Sequence, residues 1–371
     1  MTTTARIAVI LPLREHFRAA DAGAVALTVK DFACVSRYRQ DVLVYGGFAE
    51  HYSMLRYHQV LPSLWRVFGQ NLAYAKAASR DLALHGVALV EVHNRVQLAL
   101  RIKVAAPHLN VTLFLHNDPH TMGGLGTVAE RADVLERLDL VYSVSHYVQE
   151  RLLDGVDTLL SAKSQVIYNA LPPSVTADIA QRQPWIVYAG RFVPQKGVLE
   201  LAKALAQLLP LHPDWKVVFL GARGFGHEAG KSAYEQAVYA ELAHVAQQIE
   251  FRGHVQHDEV IKVFNQAAIA VSASVGAEAF GRTTLEAMDA GCAVVTSSWG
   301  GLKEVAGKAA IVVDPVTPEP LAAAISALIA NPAERMACAE RCLRHAQQAF
   351  LLAAETEKLD ATRDLLLNSA I

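Results

Sequence analysis

The sequence predicts two α/β domains in tandem, each built on a doubly wound parallel sheet. Three observations carry this reading. Short apolar runs recur along the whole chain, they alternate with longer helical patterns, and the series breaks once, near the middle. The runs are continuously apolar rather than alternating, as parallel strands covered on both faces require. A chain of 371 residues, 52% hydrophobic and only 19% charged, can bury two such interiors.

In the first half the strand candidates are residues 7–12, 42–46, 87–92, 111–116, 140–145 and 165–169. In the second half they are 185–190, 216–221, 249–253, 269–274, 293–298 and 309–314. Helical patterns such as Val198–Leu211 and Pro318–Ala330 lie between them. The proline-rich stretch LPPSVTADIAQRQPW (171–185) interrupts the alternation and reads as a linker. The predicted layout is a first domain at 1–171, a second at 172–349, and a closing helix at 350–371 packed back on the first. Two Rossmann-like domains of this kind are expected to face each other across a cleft. Ligands then bind outside the carboxyl ends of the strands.

Bulk charge narrows the partners. The net charge is −2, which gives no support to a nucleic-acid ligand. Before Leu171 there are 17 basic and 15 acidic residues, and after it 17 and 21. A mildly positive first half is compatible with peripheral contact with the inner membrane surface. Arg37, Tyr38, Arg39 and Arg56, Tyr57, His58 interleave charge with aromatics and suit either a lipid headgroup or exposed helix ends. No secretory signal precedes IAVILPL, and no apolar run reaches the roughly 18–20 residues of a membrane span. Four scattered cysteines form no disulfide framework, so a reduced, cytoplasmic setting is expected. Cys338, Cys342 and His345 share helical spacing but lack a fourth ligand, which favours chance placement over a metal site.

The chemistry concentrates in loops after predicted strands. GRFVPQKG (190–197) places Arg191 and Lys196 between a buried strand and a helix start, where two cations and the helix dipole suit a diphosphate. GAEAFGRTTLEAMDAG (276–291) runs from loop into helix, with Gly281, Thr283 and Thr284 marking the start. Glu278 falls on the loop and Glu286 on the helix, a pair suited to the hydroxyls of a ribose or hexose. The plainer reading is that Glu286 caps its own helix with Thr283 and Glu278 is solvated. GFGHEAGKS (224–232) looks like a phosphate loop, but its glycine spacing does not fit one.

GRFVPQKG, FRGHV (251–255), EAFGRTTLE and SWGGLKEV (298–305) occur in this order, each at a predicted strand end. The chain thereby resembles the family-4 retaining glycosyltransferases of the GT-B fold, most clearly over residues 185–315. The resemblance implies that Arg191 and Lys196 hold the diphosphate of a nucleotide-sugar donor. It implies that Glu286 binds the ribose and Glu278 the transferred sugar. Phe280, Gly281, Arg282 and Thr283 would bring backbone N–H groups to the sugar and phosphates, and Gly253, His254 and Val255 would lie beside the base. Arg282 stands where an apolar residue is expected.

In the first domain, VTLFLHNDPH (111–120) ends a strand at His116, Asn117 and Asp118. Family members carry a histidine at a comparable place, so His116 is the candidate near the anomeric carbon. VEVHNR (90–95) offers His93, Asn94 and Arg95 as further acceptor-side residues. Gly23 begins a helix without the glycine pair often seen there. The implied reaction is transfer of a sugar, a hexose by expectation, to a hydroxyl of a glycan or lipid-linked glycan, with retention. The implied setting is lipopolysaccharide or other surface polysaccharide synthesis. No strand-terminal Asp-x-Asp stands in the chain, so no metal and no cofactor is called for. Two other readings fit the same fold: a nucleotide-sugar epimerase, and a non-catalytic nucleotide- or glycan-binding protein.

Overall fold

A computed structural model of the protein describes residues 6–61, 70–172, 178–222 and 232–368. The chain divides into two units, Met1–Pro172 with Leu352–Ile371, and Pro173–Leu351. In the first unit, seven parallel strands lie among the described residues: β1 (Ile7–Ile10), β2 (Val42–Gly46), β3 (Tyr57–Gln59), β4 (Leu89–His93), β5 (Asn110–Leu115), β6 (Leu140–Ser143) and β7 (Ser164–Val166). Their order is β3-β2-β1-β4-β5-β6-β7. The connecting helices are α1 (Ala24–Val35), α2 (Gln70–Leu84), α3 (Val96–Ala105), α4 (Val128–Arg137) and α5 (His146–Leu153).

The second unit has six parallel strands among the described residues: β8 (Gln183–Ala189), β9 (Lys216–Leu220), β10 (Ile249–Gly253), β11 (Ala267–Ser272), β12 (Ala293–Thr296) and β13 (Ile311–Val312). Their order is β10-β9-β8-β11-β12-β13. Its helices are α6 (Val198–Leu208), α7 (Ala233–Glu241), α8 (His257–Phe264), α9 (Arg282–Asp289), α10 (Leu302–Ala306), α11 (Pro318–Ala330) and α12 (Pro332–Ala349). The last helix, α13 (Leu352–Asn368), belongs to the first unit. Strand order reverses between β1 and β4 in one sheet and between β8 and β11 in the other. These switch points are where an open parallel sheet leaves a crevice at its carboxyl edge.

The first sheet has one strand more than the apolar runs predict. β3 reads YHQ and pairs only with β2, Val44 opposite Tyr57. Three polar and aromatic residues at a sheet edge carry no apolar signal. Tyr57 and His58 are therefore strand residues, not helix ends. Arg56 Nη1 donates to the Gln40 carbonyl at 2.7 Å, and His58 Nε2 lies 2.9 Å from Asp81 Oδ2. Of GFGHEAGKS only Ser232 lies within the described residues, where its side chain caps α7.

Helix α13 is fastened to the first sheet by buried charge. Arg363 is 2% exposed and Glu91, in the centre of β4, is 1% exposed. Their bond is bidentate, Nε to Oε1 at 2.8 Å and Nη2 to Oε2 at 2.7 Å. Arg363 Nη1 also donates to Asp360 Oδ1 and Ser36 Oγ, each at 2.9 Å. Asp360 in turn accepts from the Ser36 hydroxyl and the Arg37 N–H. Arg37 and Tyr38, which the sequence left open to a lipid role, bond Glu357 and Asp364 of the same helix. Around this network Leu352, Leu359 and Leu367 enter the apolar core. Burial works against the Arg363 charge, and Glu91 and Asp360 outweigh it.

A buried pair that loses one partner leaves an uncompensated charge. Arg363→Met should therefore lower the free energy of unfolding by about 3–5 kcal/mol, whereas Arg363→Met combined with Glu91→Leu should cost far less. Urea unfolding of the two variants beside wild type reads both values.

Candidate functional site

In the second unit, two loops leave the strands that flank the switch point. The loop after β8 is anchored by Phe192, buried against Phe219 and Phe251. Arg191 beside it is exposed. A short 3₁₀ turn, Pro194–Lys196, ends at Gly197, which has a left-handed φ of 59° and starts α6. A Cβ there would lie 1.8 Å from the Ala273 carbonyl oxygen, so only glycine lets this loop touch the end of β11. Val275 and Gly276 donate their N–H groups to the Gln195 carbonyl at 3.0 and 3.2 Å, stitching the loops together.

That stitch sets Lys196 beside Glu278. Lys196 Nζ lies 2.6 Å from Glu278 Oε1, and Ser274 Oγ donates to the same oxygen at 2.7 Å. Both charged side chains keep part of their surface open, 27% and 19%. The backbone around Glu278 rests on the glycine pair of SWGGLKEV: Gly301 N–H donates to the Glu278 carbonyl at 2.8 Å. Side chains at Gly300 or Gly301 would strike the Glu278 and Ala279 carbonyls.

Helix α9 starts at Arg282, inside the stretch that Gly281, Thr283 and Thr284 mark. Its N-cap is Gly281, at φ 104°, with no side chain capping it. Glycine reaches this left-handed geometry at little cost, and no side chain is spent on capping the first turn. Glu286 does not cap its own helix. It is 5% exposed, and its Oε1 receives Arg282 Nε at 2.8 Å and His257 Nε2 at 2.9 Å. Burial alone would raise the Glu286 pKa; the His257 bond and the Arg282 charge outweigh it and hold it below 4.5. Arg282 thus positions Glu286. Phe280 is buried and packs edge-on against Phe350. Gly253 ends β10 at φ 65° and accepts from Gly221 N–H, followed by exposed His254 and half-buried Val255. Ser274 and His257 are additions that no motif marked.

In the first unit the candidates split into two groups. His93 ends β4 and His116 follows β5, with His93 Nδ1 2.8 Å from His116 Nε2. Asn94, at φ 54°, accepts the His116 N–H on Oδ1 at 2.8 Å and fixes the loop. Burial, then His116 and Arg363, push the His93 pKa well down, so His93 is neutral. A neutral His93 couples its tautomer to that of His116. Asp118 belongs to another network: it accepts from Tyr147 Oη at 2.8 Å, Arg151 Nε at 3.2 Å and His120 N–H at 2.9 Å. Burial would raise its pKa, and these three bonds hold it down. Asn117 and Arg95 are exposed. Gly23 is the N-cap of α1, but the anion at that helix end is the protein's own. Glu15 Oε1 accepts the Ala26 N–H at 3.1 Å and would lie 2.6 Å from a Cβ on Gly23. Burial raises the Glu15 pKa despite these bonds.

Among the described residues, no group of three or more His, Cys, Asp or Glu is placed to hold a metal ion. No described helix is long and apolar enough to cross a membrane.

Residues 176–344 match the family described as glycosyl transferases group 1. Putative glycosyltransferase YtcC of Bacillus subtilis (strain 168) is 27% identical over 248 residues, 62% of this chain and 60% of that one. The lipopolysaccharide core biosynthesis mannosyltransferase LpcC of Rhizobium leguminosarum bv. viciae is 34% identical over 180 residues, 48% of this chain and 50% of that one. The chain thus spans between half and six tenths of these relatives' lengths. The crystal structure of Anabaena Alr3699/HepE in complex with UDP superposes with a TM-score of 0.75 at 19% identity, covering 97% of this chain and 99% of that one. The chain has the two-domain GT-B fold, and its residues 176–344 are similar to the group 1 glycosyltransferases.

Proposed function

We propose that this protein transfers a sugar from a nucleoside-diphosphate donor to a hydroxyl of a glycan or glycolipid, with retention at the anomeric carbon. The observation that carries the reading is the cluster at the β8/β11 switch point: Lys196, Glu278 and Ser274 joined through one oxygen, with Glu286 held ionised nearby on α9. Lys196 serves two partners. It orients Glu278 toward the hydroxyls of the transferred sugar, and with Arg191 it faces the diphosphate. The first turn of α9 adds N–H groups and the positive end of the helix dipole. These groups stabilise the charge that grows on the departing diphosphate. The positive charge comes from the chain itself, so the proposal calls for no metal.

Glu286 presents its carboxylate to the ribose diol. The His257 and Arg282 bonds both fall on Oε1, and Oε2 is the oxygen assigned to the ligand hydroxyls. His116, oriented by His93 and Asn94, is the acceptor-side residue assigned near the anomeric carbon. Attack from the face of departure lets the leaving phosphate take the acceptor proton and needs no carboxylate on the opposite face. The mannosyltransferase LpcC, named for lipopolysaccharide core biosynthesis, and the UDP complex of the Anabaena protein support a nucleotide-sugar donor and a surface-glycan acceptor. Which sugar is carried is read by assay against a panel of donors.

Lys196→Ala should lower kcat by about 10²–10³ with a smaller change in donor KM, the signature of charge that matters most in the transition state. Glu286→Ala should act on donor KM instead. His116→Ala should abolish transfer while nucleotide affinity, read by titration calorimetry, stays at the wild-type value. The Glu286 carboxylate also carries a pH signature. Its folded pKa lies below 4.5, so its ionised form contributes stability that is fully present above that pH. That contribution is lost as pH falls through the folded value. The gap in unfolding free energy between wild type and Glu286→Gln should therefore close on acidification below pH 4.5.

A further inference from the structure

The first unit carries a cavity of about 960 Å³ at its own switch point. Its walls come from the loops after β1, β4 and β5 and from helices α2 and α3. Among the described residues, three arginines line it, Arg14, Arg95 and Arg101, and no aspartate or glutamate does. Gln97 and Arg101, four residues apart, share one face of α3, and Asn94 lies in the loop before it. Asn117 adds an amide from the loop after β5.

Six other arginines of the same unit are ion-paired, and Arg39 and Arg131 donate to backbone carbonyls. Arg18, Arg37, Arg80, Arg137, Arg151 and Arg363 are each within ion-pair distance of a carboxylate. Among the described residues, no ion pair holds Arg14, Arg95 or Arg101. Arg14 reaches only Gln70 Oε1 at 3.5 Å, and Arg95 only the Asn94 carbonyl at 3.4 Å, both at the limit of a hydrogen bond. The acid that influences Arg95, Glu15, spends its carboxylate on the start of α1. Three guanidinium groups around a polar cavity, none ion-paired with a carboxylate among the described residues, match a phosphate in charge and in donor geometry.

A second cavity of about 430 Å³ adjoins the first and shares Ala75, Gln97 and Arg101 with it. It mixes apolar walls, Leu100 and Val104, with Lys76 and Arg137. The two cavities together can take a charged headgroup and an apolar extension.

We propose that the acceptor is a phosphate-bearing molecule whose phosphate is seated by Arg14, Arg95 and Arg101. This rests on the glycosyltransferase reading above only for calling the ligand an acceptor. The anion site itself stands on the cavity and its arginines. A free sugar phosphate and a lipid-linked phosphate share this chemistry, and the test has an arm for each.

The full chain is titrated without donor against glucose 6-phosphate and against glucose. In parallel it is sedimented with vesicles of phosphatidylcholine, with and without phosphatidic acid. The account expects the phosphate-bearing probe to bind in at least one arm and its uncharged counterpart to bind much more weakly. Arg95→Gln and Arg101→Gln should each weaken that binding about tenfold, the scale of one charged hydrogen bond, while UDP affinity and the melting temperature stay at wild-type values. Binding in the sugar arm alone identifies a soluble sugar phosphate, and binding in the vesicle arm alone a lipid-linked one. If neither probe binds, or if binding ignores both substitutions, the proposal is overturned. Phosphate binding in a chain that transfers no sugar would sink the glycosyltransferase reading and leave the anion site standing. Transfer to uncharged acceptors, unaffected by either substitution, would do the reverse.

Discussion

Parallel pairing is the constraint on which the rest of this structure depends. Strands that all run one way place all their carboxyl ends along one edge of each sheet. Residues far apart in sequence then meet there without any long-range design of their own. Lys196 and Glu278 are separated by 82 positions, yet they leave adjacent strands on the same edge and bond at 2.6 Å. His93 and His116 meet in the other sheet by the same logic, from β4 and β5. Each loop needs a local device to hold its aim: a left-handed glycine at 197 and 281, and a left-handed asparagine at 94.

Charge is treated differently at the edge and in the core. In the core, Arg363 and Glu91 satisfy one another bidentately, with Asp360 and Ser36 completing the set. Such a network gives the helix one register on the sheet, and nothing in it is left for a ligand. At the edge the pairing is partial. Glu286 is bonded through one oxygen, Lys196 and Glu278 stay partly open, and the arginines of the first unit's cavity lack carboxylate partners among the described residues. Partly committed charge at a sheet's carboxyl edge is what a binding site for a polar, anionic substrate requires.

Most of the fold was legible because its strands are short, apolar and covered on both faces. β3 was not, because a three-residue polar edge strand takes its identity from its partner β2 rather than from its own residues. The site was legible as separate motifs but not as a network. Composition could place Glu286 on a helix. It could not show that Arg282, one turn earlier, and His257, from α8, would converge on the same oxygen. The plainer alternative, a Thr283 cap shared with Glu286, fails because Gly281, which the motif marked, opens the helix through backbone geometry. Glu15 was passed over because a glutamate in LREH gives no sign that it will fold back onto the start of α1. His254, singled out by its motif, is exposed, and the histidine that reaches Glu286 lies three residues later.

The central claim is that the edge of the second sheet is a nucleotide-sugar site. It is tested most directly by the melting temperature of the full chain against a panel of UDP-, GDP- and ADP-sugars. A ligand that binds only the folded state raises it. The account predicts that one donor raises the melting temperature of wild type and that the rise vanishes in the double variant Lys196→Ala, Glu286→Ala. A panel in which no donor moves the wild-type value, or a rise that survives in the double variant, would contradict it.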